Sequence, residues 1–105
     1  MDWTAKQRRL WRERIEWLED SFPLPWRVHV WRVPYRRDLG GSTHDGQEAW
    51  IKVARRLEYP VAVYTLMEEW AHLREWDDYR DHGQAWTHEY GAIIRADEDR
   101  EKEEE

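Results

Sequence analysis

The stretch Met67-Glu68-Glu69-Trp70-Ala71-His72 places three side chains able to do acid–base or metal chemistry within two turns of a helix. Residues four apart on a helix share a face, so Glu68 and His72 can converge on one point, with Glu69 beside them. This is the spacing of the zinc-binding pattern H-E-x-x-H, in which two ligands one turn apart hold the metal and the intervening Glu is the general base. Here a Glu stands at the first His position. A carboxylate is an acceptable zinc donor, at oxygen–metal distances of about 2.0–2.2 Å. As an anion, however, it lowers the effective positive charge available to make water acidic. A third ligand must come from elsewhere, and His82, beyond a break rich in turn formers and next to Gly83, could swing back over the pair. Without a metal, the same residues form a solvated acidic helix face in which His72 partners Glu68. Glu69 and His72 also have the i,i+3 spacing of di-iron bundle ligands, but such sites need two pairs on four helices, which the chain does not offer.

The elements that would position these residues can be read from periodicity. Trp3, Leu10, Trp11, Ile15, Leu18 and Phe22 recur at helical spacing, with Arg8, Arg9, Arg12, Glu13, Glu16 and Glu19 opposite, which predicts an amphipathic helix over residues 2–20. Pro23 and Pro25 stop it. Residues 26–33 alternate and are rich in β-branched and aromatic types, predicting a strand with Trp26, Val28 and Val30 on one face. Residues 34–48 concentrate turn formers and read as a loop with room for one short strand. Residues 50–55 alternate again and give a second strand. Pro60 then opens a helix whose apolar surface is Val61, Val63, Leu66, Met67, Trp70 and Leu73. After a break at residues 77–81, Trp86, Tyr90, Ile93 and Ile94 mark a last helix running into an acidic tail. The order predicts an α+β domain with helices packed on a small sheet.

Composition bounds what such a domain can be. The chain has 105 residues, 40% hydrophobic and 38% charged, which fits one small domain, expected over residues 1–96 ahead of the acidic tail at 97–105. Nine Trp supply much of a thin core, and the absence of Cys removes disulfides and thiolate zinc sites. The net charge of −6 argues against a general nucleic-acid binder. One local exception is Trp31 and Tyr35 among Arg32, Arg36 and Arg37, a combination able to stack on bases and contact phosphate. No apolar run is long enough to span a bilayer and no secretion signal is visible, so a cytoplasmic protein is expected. Of the remaining histidines, His29 is expected on the outward side of its strand, His44 in the loop, and His88 exposed on the last helix.

Residues 60–95, PVAVYTLMEEWAHLREWDDYRDHGQAWTHEYGAIIR, carry a more specific signal. The segment resembles the small zincin-like proteins of bacteriophages related to SprT-like metallopeptidases, whose pattern is T-L-x-H-E-W-A-H, a polar linker and D-H-G-x-x-W-x-x-x-Y-x-x-x-x-R. Thr65, Leu66, Glu69, Trp70, Ala71, His72, Asp81, His82, Gly83, Trp86, Tyr90 and Arg95 match it, and Glu68 departs from it at the first ligand. The resemblance covers about a third of the chain, and the preceding helix and strands stand in the family's order.

It implies a minimal zincin-like fold in which His72 and His82, with Glu68 in the first ligand's place, hold Zn2+, and Glu69 is the catalytic base. It further implies a peptide or protein substrate lying along an edge strand, expected at residues 50–55, and residence in a bacterial host cytoplasm. The change at Glu68 leaves a zinc-dependent peptidase open beside a non-catalytic module that keeps the scaffold and binds a phage or host protein, and the resemblance adds a third, weaker reading, a nucleic-acid-associated protein, as some SprT-like relatives are.

Overall fold

The computed structural model describes residues 2–76 and 83–104 and has an α+β architecture, in which three helices accompany one three-stranded mixed sheet. Helix α1 spans Ala5–Ser21. Its start is set by Thr4, whose hydroxyl accepts the Gln7 amide while the Gln7 side chain accepts the Thr4 amide, both at 3.0 Å, a reciprocal capping box. Its last bond runs from the Phe22 amide to the Leu18 carbonyl, after which Pro23 prevents continuation. Trp11 and Leu18 are buried as the periodicity requires, and Trp3 joins them, its indole donating to the Leu57 carbonyl at 3.1 Å. Arg14 is buried as well.

Strands β1 (Arg27–Val33), β2 (Gly40–His44) and β3 (Glu48–Ala54) form a sheet of order β1-β3-β2. The β1–β3 pair is parallel and the β2–β3 pair antiparallel. The β2–β3 hairpin is closed by Asp45, whose carboxylate accepts the Gln47 and Glu48 amides at 2.9 and 2.8 Å, and by Gly46, whose φ of +92° is a conformation that favours glycine. Those amides hold the Asp45 carboxyl below the usual carboxylate range, the Glu48 bond contributing most. Two expectations are corrected here. His44 lies in a strand rather than a loop, and residues 50–54 belong to the central strand, so both backbone edges there are occupied and no peptide can add to it. β1 and β2 flank it, each with one edge that pairs with no strand among the described residues, and β2 is the one that packs against α2.

Helix α2 spans Tyr59–Arg74, with Pro60 in its first turn, and α3 spans Gln84–Glu104. α2 packs on β2, β3 and α3 and carries the greatest number of buried side chains, among them Ala62, Leu66, Met67, Trp70 and Ala71, all fully covered. The Trp70 indole donates to the Phe22 carbonyl at 2.8 Å, so the largest core side chain satisfies its polar atom while joining α2 to the turn after α1. β3 alternates accordingly: Ala49, Ile51 and Val53 are fully buried on the helix side, and Trp50 and Lys52 are partly exposed on the other. α1 and α3 are joined by an ion pair between Arg14 and Asp97 and by the Arg100 guanidinium 5.4 Å from the Trp17 ring. Helical structure thus continues through the acidic segment to Glu104, and Asp97 is part of the packed interior. Among the described residues no helix is long and apolar enough to cross a membrane.

Candidate functional site between helix α2 and strand β2

Strand β2 runs alongside α2, meets it at two successive inward positions and turns a third toward Trp26 and the residue Trp76 beyond the helix. The first is Gly40, where an added Cβ would lie 2.7 Å from both the Thr65 methyl and the Lys52 carbonyl oxygen, and 3.5 Å from Glu69 Cγ. Only a residue without a side chain allows this approach. Two residues on, Ser42 points the same way and its hydroxyl donates to Glu69 Oε1 at 2.9 Å. After another two, the His44 ring stacks on Trp26, centroids 4.1 Å apart, and meets Trp76 edge-on at 4.3 Å. Trp76 follows the end of α2 at Arg74, so this third contact is made with the segment just beyond the helix.

Glu68 and His72 engage α3. The Trp86 ring stacks on the His72 imidazole with centroids 5.1 Å apart and planes 28° from parallel, and its indole donates to the Glu68 carbonyl at 3.4 Å. Tyr90, one turn further along α3, stacks on Trp86 at 5.1 Å. Burial pushes the Tyr90 phenol above its ordinary range, and the charge of Glu68 pushes it further. Near the C-terminal end of α2 a second link to α3 is the ion pair of Arg74 with Glu89.

The helix therefore divides the candidate residues. Glu69 is held by a hydroxyl from the edge strand, whereas Glu68 and His72 share the neighbourhood of the Trp86–Tyr90 stack. All three are half-buried. His82, the expected third ligand, and Asp81 lie outside the described residues, and among the described residues no three His, Asp or Glu side chains gather as a metal site. Family models, curated proteins and solved structures give no significant match to this chain.

Four participants escaped the sequence reading. Gly40, Ser42 and His44 fall in a segment read as a loop with room for one short strand, His44 being weighed there only as a ligand in principle, and Trp76 was not singled out. Their signal was the i, i+2, i+4 spacing of Gly40, Ser42 and His44, which is strand periodicity written without apolar residues. His29 behaves as expected, on the outward face and bonded to Glu48 at 3.0 Å, and His88 is exposed on α3.

Proposed function

We propose that this chain is a zincin-type metallopeptidase-like protein with a modified metal site, acting on extended peptides. Glu68, His72 and His82 are the residues that would hold zinc, and the donor set fits that metal, which accepts imidazole nitrogen and carboxylate oxygen together. When bound, zinc supplies Lewis acidity, making water more acidic and polarising a carbonyl. Glu69 takes the proton of the attacking water on its carboxylate and returns it to the leaving amine. Ser42 fixes the orientation of that carboxylate through Oε1. Trp86, stacked on His72, fixes the plane of the imidazole. The peptide adds by backbone pairing to the open side of β2, the strand that also carries Ser42.

The observation that supports this reading most is the Ser42–Glu69 contact, because it brings the residue in the general-base position against the strand on which a peptide would pair. The test is cleavage of an unstructured protein substrate by zinc-loaded protein. Wild-type cleavage that disappears in Glu69→Gln, with zinc binding retained, supports it. Equal cleavage by both proteins overturns it.

The presence of Glu68 at the first ligand position favours a second reading, a non-catalytic module that captures an extended segment of a phage or host protein on the same strand. In that case capture of the partner is unchanged by Glu69→Gln and is lost when β2 is disrupted at Gly40.

A further inference from the structure

The sheet has two unlike faces. Ala49, Ile51 and Val53 seal the one under the helices, and the opposite one carries Trp50 and Lys52 of β3 with His29 and Trp31 of β1. Trp31 is 51% exposed, an unusual state for the side chain with most apolar area to bury. The rings form a row: His29 lies 6.1 Å from Trp50 with planes 21° apart, and 6.3 Å from Trp31. Tyr35 extends it, lining a shallow recess of about 210 Å³ with Trp50 and Lys52 and a second of about 470 Å³ with Arg36, Arg55 and Arg56. The two recesses therefore adjoin at one aromatic ring.

Every charged side chain lining these recesses is cationic. Arg56 is anchored by donating to the carbonyls of Tyr35, Arg37 and Asp38 at 3.1–3.3 Å, and Arg55 by donating to the Arg32 carbonyl at 3.3 Å. Carbonyl anchoring fixes a guanidinium in place and leaves its charge unneutralised. Glu48, a carboxylate beside the ring row, is bonded to His29. Residues 26–56 hold seven Arg and Lys against three Asp and Glu, although the whole chain carries −6. A cationic track beside a row of aromatic side chains, with Trp31 exposed and the others partly so, suits a ligand that alternates negative charge with flat rings, and unpaired nucleotides have that chemistry. A duplex keeps its rings inside and could use only the charge.

We propose that the open face of the sheet binds single-stranded nucleic acid, with bases stacked on Trp31 and Trp50 and phosphates on Arg36, Arg55 and Arg56. The rings of Trp31 and Trp50 lie on the sheet face opposite the helices, although the smaller recess reaches strand β2 and has Ser42 in its lining. The test is fluorescence anisotropy of a labelled oligothymidylate titrated with the full chain at low salt, beside a duplex of equal length and with polyglutamate as competitor. Single strands bind in preference to duplex, affinity falls steeply between about 50 and 200 mM salt, and Trp31→Ala weakens binding by roughly 5- to 150-fold, the range for loss of one stacked base. Arg36→Glu, at an exposed position, weakens it independently should Trp31→Ala fail to fold. Absence of binding at low salt, equal affinity for duplex, displacement by polyglutamate, or binding unchanged in both folded variants would each overturn the proposal.

Discussion

Ser42, on the strand at the sheet's edge, donates its hydroxyl to Glu69 on helix α2 at 2.9 Å, across 27 residues of sequence. Hydrogen bonds to a charged acceptor contribute more than neutral ones, about 1.5–3 kcal/mol. Both groups are only half-buried, so the expected cost of Ser42→Ala lies near the lower end of that range. Denaturant unfolding checks it. Glu69→Gln, which keeps an acceptor oxygen, is expected to cost less, and equal losses would show that the hydroxyl is not bonded to that carboxylate in solution.

The closeness of β2 to α2 depends on Gly40. A methyl group there meets a backbone oxygen and a β-branched methyl at 2.7 Å, neither of which is the far end of a flexible chain. Gly40→Ala is therefore expected to destabilise by about 1–3 kcal/mol, the usual cost of overpacking. At Gly41 an added Cβ meets nothing within 4 Å, so Gly41→Ala is the control expected to change stability little. Thermal melts of the two variants separate crowding from a general intolerance of side chains in this strand.

The pairing of Arg14 with Asp97 buries two charges, with side chains 9% and 10% exposed. Removing one partner takes away the closest opposite charge of the other, Asp97 keeping Arg100 at 3.9 Å, and Arg14→Ala or Asp97→Ala is expected to cost up to about 3–5 kcal/mol. Replacing both with apolar residues of similar size, Arg14→Met with Asp97→Leu, should recover most of that loss. Chemical denaturation of the three variants measures it, and additive losses in the double variant would contradict a direct pair.

Tyr90 gives a pH dependence at the alkaline end. Its folded-state phenol is pushed up by burial and then by Glu68, so the protonated form is favoured more in the folded chain than in the unfolded one. The unfolded state consequently loses its proton first as pH rises through the ordinary phenol range, and stability falls there. Ultraviolet difference titration should find a tyrosine ionising late. Glu68→Gln should bring that ionisation earlier, and no change would mean that the carboxylate is not beside the ring.

How much of this was legible in the sequence follows from where each signal is encoded. The shared helix of Glu68, Glu69 and His72 was readable because helical geometry is local. The Trp86–Tyr90 spacing on α3 was readable for the same reason, as was the alternation of β3. Strand β2 was not, because Gly40-Gly41-Ser42-Thr43-His44 has no apolar residue to alternate, and its extended form is imposed by β3 on one side and α2 above. Misplacing the open edge has the same origin: alternation marks a strand but carries no information on its neighbours. The burial of Arg14 was hidden by its charge, although it falls on the stripe between Trp11 and Leu18, since the carboxylate that permits it is 83 residues away.

The central claim is that Glu68 and His72 serve as metal donors, and zinc content of the purified chain tests it most directly. Wild type, His72→Ala and Glu68→His, each expressed with zinc and dialysed, are compared by elemental analysis and by titration with zinc. Stoichiometric zinc in wild type, its loss in His72→Ala and tighter retention in Glu68→His are the expected results. Zinc absent from both wild type and Glu68→His would contradict the account.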